Sequence, residues 1–133
     1  MKYLVVFDTN VFVSHFLTPT KTTAVNVIIA RVLEQKVIPV YSDATMSEYQ
    51  EVLGRRKFHF RQDAIFSFLK LIHDTGHYVI PRPTPVYFTD YSDKPFYEAA
   101  VSSGAWLVTG NKRHYPDESF IVSPREYIER AGM

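Results

Sequence analysis

Three acidic side chains stand where a layered fold would bring them together: Asp8, Glu48 and Asp93. Asp8 closes a short apolar run and precedes turn-forming residues, so helix capping is the competing explanation for it. Glu48 falls on a helical stripe with Ala44 and Val52, beside Tyr49 and away from the wet stripe of Ser47, Glu51 and Arg55. A glutamate at the core margin needs a partner, unless its long chain bends out to water. Asp93 lies two residues before Pro95 at the mouth of a further helix, where Asp90 or Ser92 could do the capping instead. Carboxylates crowded without neutralising bases repel one another, and the usual remedy is a hard divalent cation such as Mg²⁺ or Mn²⁺.

The remaining reactive residue types form no better centre. His73 and His77 are four apart, but Gly76 breaks the helix between them, and His15, His59 and His114 have no spacing for a zinc site or an acid–base pair. The glycines are scattered, which excludes a phosphate-cradling loop and a dinucleotide fingerprint. Two clusters mix cations with rings. Arg55, Arg56 and Lys57 precede Phe58, His59, Phe60 and Arg61, and Lys112 and Arg113 precede His114 and Tyr115. Such clusters hold phosphates and stack unpaired bases; the plain alternative is a solvated loop.

Alternating elements must position these groups. Residues 2–7 form a nearly continuous apolar run, read as a strand covered on both faces, and 37–41 is a second. Shorter strands are expected over 77–80, 105–109 and 119–122. Helices are expected over 11–17, 22–35, 44–54 and 62–75, after Pro95 as far as Gly104, and from Pro124 to about residue 130 behind the capping box Ser123-Pro124-Arg125-Glu126. Pro81, Pro83 and Pro85 impose an extended connector. Strands alternating with helices predict an α/β fold with three layers, α/β/α, around a mostly parallel twisted sheet of four to five strands. In such sheets sites form at the carboxyl ends of the strands, where Asp8 closes the first and Thr109-Gly110-Asn111 closes the fourth.

The 133 residues are one domain's worth, 46 % hydrophobic and 22 % charged, so the chain reads as a single folding unit over 1–133. A formal net charge of +1 supplies no strong overall field, and charged function must come from local grouping. The absence of cysteine excludes disulfides, thiolate zinc sites and cysteine nucleophiles, and together with the lack of any long apolar run it points to the cytoplasm rather than a membrane.

Four segments in register carry a resemblance. Val5-Val6-Phe7-Asp8-Thr9-Asn10-Val11-Phe12-Val13, then Ser42 through Glu48 to Leu53, Asp93-Lys94-Pro95-Phe96-Tyr97-Glu98-Ala99-Ala100 and Leu107-Val108-Thr109-Gly110-Asn111-Lys112 resemble PIN-domain nucleases, and among these the toxin halves of bacterial and archaeal toxin–antitoxin pairs, the VapC-type proteins and their relatives. The resemblance implies a Mg²⁺- or Mn²⁺-dependent endoribonuclease with Asp8, Glu48 and Asp93 as catalytic and metal-binding acids. The family's fourth acidic position is Asn111 here, which removes one negative charge and lowers the expected metal affinity. Thr9, Asn10 and Thr109 are implied as polar neighbours that fix the carboxylates, and Arg55, Arg56, Lys57, Lys112 and Arg113 as RNA contacts. A homodimer held inactive by a small antitoxin is implied in the same way. The alternative is a weakened or inactive relative that binds RNA or a protein partner.

Overall fold

A computed structural model describes residues 3–133; the start of the first expected strand at Lys2 lies outside the described residues. Five parallel strands form one sheet in the order β3-β2-β1-β4-β5. They are β1 (Tyr3–Phe7), β2 (Val37–Tyr41), β3 (His77–Tyr78), β4 (Trp106–Val108) and β5 (Ile121–Val122). Six helices flank the sheet: α1 (Thr9–Leu17), α2 (Ala24–Leu33), α3 (Asp43–Leu53), α4 (Gln62–Thr75), α5 (Lys94–Ser103) and α6 (Pro124–Ala131). This is the three-layer α/β arrangement that the alternation of elements predicts. Among the described residues no helix is long and apolar enough to cross a membrane.

The centre of the sheet is set by sequence. Val5, Val6 and Phe7 are fully buried because helices cover both faces of β1, and Phe12, Ile28, Leu53, Phe96 and Leu107 close around them. Ser42 and Ser123 start α3 and α6 with reciprocal capping boxes, to Thr45 and Glu126, and Thr23 caps α2 by accepting from the Asn26 N–H. Gly104 ends α5 at φ 72°, a left-handed conformation that suits a residue without Cβ.

Several expected boundaries move, among them those of β4, which spans Trp106–Val108 rather than 105–109. The first helix starts at Thr9 rather than residue 11, since Asp8 already leaves the strand. The helix expected over 22–35 is trimmed to Ala24–Leu33, capped by Thr23 and closed by Gln35 at φ 59°. The strand expected over 77–80 stops at Tyr78: His77 pairs with Val40 and Tyr78 with Tyr41, β2 then turns at Ser42 into α3, and Ile80, with no strand left to pair with, is exposed. β5 likewise begins at Ile121, not residue 119.

The chain leaves β1 toward β2 and β3 on one side and returns to β4 on the other, so strand order reverses beside β1. At that reversal the connections diverge and open a crevice at the carboxyl ends of β1 and β4.

Candidate active site at the strand ends

Asp8 occupies the N-cap position of α1, yet its side chain makes no cap hydrogen bond. It reaches across the strand ends instead. The Thr109 hydroxyl donates to Asp8 Oδ2 at 2.8 Å, the Tyr115 hydroxyl donates to the same oxygen at 2.9 Å, and the Asn10 amide lies at 3.4 Å from it. The backbone supports this geometry: Asp8 N–H donates to the Val108 carbonyl, and the Tyr49 hydroxyl of α3 donates to the Phe7 carbonyl one residue before Asp8. Burial pushes the Asp8 carboxyl above the usual carboxylate range, against the opposing pull of Thr109, Tyr115 and the backbone N–H groups of Thr9 and Asn10. Tyr115 stays protonated and donating, because burial and the charges of Asp8 and Asp93 hold its phenol far above its ordinary value.

Asp93 repeats the pattern at α5. It is buried at the N-cap position and makes no cap bond; the turn Tyr91–Asp93 is capped by Asp90, which accepts from the Ser92 N–H at 3.0 Å. Burial first, then the charges of Asp8 and Asp90, push the Asp93 carboxyl up to about 6, with His114 pulling the other way. His114 Nδ1 lies 3.3 Å from Asp93 Oδ2. Asp93 opens onto a cavity of about 250 Å³ lined also by Thr89, Asp90, Arg113 and His114.

Glu48 is half-buried on α3, raised by burial and then by Glu51, Asp90 and Asp8, with Arg55 opposing. It shares the electrostatic neighbourhood of Asp8 without touching it, and among the described residues no three His, Asp or Glu side chains close around one point as a ligand set would. Asp8 and Asp93 are therefore the core of the site. Asn111 sits at its exposed rim, linked through its backbone N–H to the Thr109 hydroxyl at 3.0 Å rather than through its amide. Asn10 accepts from the Gly110 N–H at 3.0 Å and so ties α1 to the end of β4. The Thr9 hydroxyl is buried without a hydrogen-bond partner and does not contact the acids.

The basic residues divide. Arg55 is held by Glu51 at 2.7 Å and Lys112 by Glu126 at 3.0 Å, whereas Arg56, Lys57 and Arg113 make no ion pair among the described residues. Two site residues escaped the reading of the sequence. His114 and Tyr115 are consecutive, and the short turn Lys112–His114 folds back so that one reaches Asp93 and the next reaches Asp8. The signal is a ring pair at the end of a cationic run, but nothing in spacing alone aims His114 at Asp93 or Tyr115 at Asp8, 107 positions away.

The donor chemistry suits a hard divalent cation. The charge of Asp8 helps push the buried Asp93 carboxyl up, and among the described residues no Lys or Arg bridges the two. No curated protein matches the chain. A model of the PIN domain matches residues 4–113, a span that holds Asp8, Glu48, Asp93 and Asn111 and stops short of His114 and Tyr115. With that match covering most of its length, the chain belongs to the PIN-domain family, whose members are generally nucleases.

Proposed function

We propose that this nuclease-family chain is a divalent-cation-dependent endoribonuclease of the cytoplasm, the toxin half of a toxin–antitoxin pair. The observation that carries the metal-dependent part is the behaviour of Asp8 and Asp93: both stand at helix starts, neither makes a capping bond, both are buried, and the charge of Asp8 bears on Asp93. The RNA substrate, the antitoxin partner and the homodimer rest on the four-segment resemblance to VapC-type proteins.

Asp8 and Asp93 would hold a Mg²⁺ or Mn²⁺ ion, with Glu48 and the Asn111 amide completing the set directly or through water. Such an ion acidifies water and neutralises charge on the scissile phosphate. The chain's own groups do the rest. Thr109 and Tyr115 occupy Asp8 Oδ2 and fix the carboxylate's orientation. Glu48, raised by burial, accepts the proton of the attacking water. Arg113, on the cavity that Asp93 opens onto, faces the phosphate. Water adds to phosphorus, the bond to the 3′-oxygen breaks and that oxygen takes up a proton, leaving 5′-phosphate and 3′-hydroxyl ends.

The test is cleavage of a labelled RNA with Mn²⁺ or Mg²⁺. Asp8→Ala and EDTA should each abolish it; activity that survives EDTA would end the metal-dependent reading. Toxicity on expression, relieved by the neighbouring reading frame, tests the toxin role.

A second reading, an RNA-binding relative with weakened catalysis, is favoured by Asn111 and by the open ligand set. Asn111→Asp separates the two. A several-fold gain in Mn²⁺ affinity and in cleavage supports a weakened metal site, and no gain in either removes Asn111 from it.

A further inference from the structure

We propose that the loop over residues 54–61 is a stacking site for an unpaired nucleobase, built on Phe58 and Phe60 and flanked by Arg56 and Lys57. For its ligand class the proposal rests on the nucleic-acid reading above. The two rings lie 5.1 Å apart with their planes 6° from parallel, and every other ring pair among the described residues is tilted or edge-on. Aromatic pairs take offset-stacked or edge-to-face arrangements, and this one stacked pair is half-buried in a loop between two helices, not in the core.

The backbone that makes the stack is unusual. His59, between the two phenylalanines, takes a left-handed conformation at φ 53° and ψ 31°, unfavourable for a residue with a Cβ. Phe60 is backed by Phe16 at the end of α1, which anchors the inner ring, and Phe58 is the outer one. The Lys57 ammonium lies 5.1 Å from the Phe58 ring centroid. The charges around the rings are sorted: Arg55 and Arg61 are each paired with an acid, at 2.7 and 2.6 Å, whereas Arg56 and Lys57 are exposed without an ion pair among the described residues. Arg56 is free of ion pairs among the described residues and the Lys57 ammonium lies over the Phe58 ring, an arrangement that matches a strand whose base takes the cation's place on the ring while its phosphates meet both cations. The loop follows directly on α3, whose last residue, Leu53, is five residues beyond Glu48, a rise of roughly 7.5 Å along the helix.

Binding measured in EDTA by anisotropy tests this without catalysis, using labelled single-stranded RNA, single-stranded DNA and a duplex of one sequence. Phe58→Leu should weaken both single strands about tenfold and leave the duplex unchanged. Phe58→Trp should restore affinity, and its emission should be quenched on binding by stacking. Replacing Arg56 and Lys57 with Gln should lower the slope of log affinity against log salt by about 1.4 for the single strands. Unchanged single-strand affinity in Phe58→Leu, equal losses for duplex and single strand, or Phe58→Trp binding no better than Phe58→Leu would each overturn the proposal. Phe58-dependent binding without cleavage removes the nuclease reading and leaves this site; cleavage with Phe58-independent binding does the reverse.

Discussion

Five helices of this chain begin with a residue suited to capping, and four of them make two contrasting pairs. At α3 and α6, Ser42 and Ser123 accept the third backbone N–H of the helix, and Thr45 and Glu126 return the favour. At α1 and α5, Asp8 and Asp93 hold the same position without a capping hydrogen bond, although the first N–H groups of α1 still pull on the Asp8 carboxyl. Asp8 turns to Thr109 and Tyr115, and Asp93 turns to His114. A carboxylate at a helix start is ordinarily stabilising through the unpaired N–H groups and the helix dipole. Withholding that bond while burying the charge costs stability, and the cost falls on two residues that share one crevice. The contrast separates side chains that hold the fold from side chains that the fold holds.

Cleavage should expose the contrast most sharply. Asp8→Ala is expected to lower the rate by at least about a hundredfold, whereas Ser42→Ala should leave the rate per folded molecule unchanged. Stability should respond in the opposite sense: Ser42→Ala loses about 1 kcal/mol in urea unfolding, and Asp8→Ala loses no cap. If Asp8→Ala were destabilised by a cap's worth and still cut RNA, the two pairs would be one class.

Asp93 sharpens the comparison through pH. Its folded-state value of about 6 lies above the ordinary 3.8, so between those values the folded chain holds a proton that the unfolded chain has released. Stability contributed by this group is therefore present on the acid side and falls as pH rises through that window, by on the order of 3 kcal/mol in all. In EDTA, urea midpoints across the window should decline with pH for the parent and lose most of that slope in Asp93→Asn. An unchanged slope in the variant would mean that Asp93 is solvated like any surface acid.

How much of this was legible beforehand follows from what each inference needed. The α4 boundaries at Gln62 and Thr75 came from apolar spacing and a terminal glycine, and the Ser123 capping box from four consecutive residues, all local information. Asp8 could be placed because it follows a strand, and strand ends are where such sheets bind. Its choice between capping and crossing the sheet could not be read, because Thr109 and Tyr115 become its neighbours only after β4 is seated beside β1. Glu48 shows the limit from the other side: helical spacing put it on the inner margin of α3, and half-burial agrees, but spacing carries no distance to Asp8. His114 was set aside for lacking a regular spacing to another histidine, whereas its partner is a carboxylate reached through a turn.

Tyr115 gives the smallest effect and the finest test. Tyr115→Phe keeps the ring, which packs edge-on to Phe88 with centroids 5.9 Å apart, and removes only the hydroxyl that donates to Asp8 Oδ2. Asp8 then keeps Thr109 as its close side-chain donor, in a buried setting that already raises its pKa. One lost hydrogen bond to a charged group is worth on the order of 1–2 kcal/mol, so the neutral-pH rate should fall by roughly five- to thirtyfold. The reason is protonation, so the acid limb of the pH–rate profile should shift upward while the rate well above that limb changes less. Urea unfolding should lose about 1–2 kcal/mol as well, so rates are compared per folded molecule. A profile that superimposes on the parent's would mean that the Tyr115 hydroxyl merely fills space beside Asp8, and that Thr109 alone orients the carboxylate.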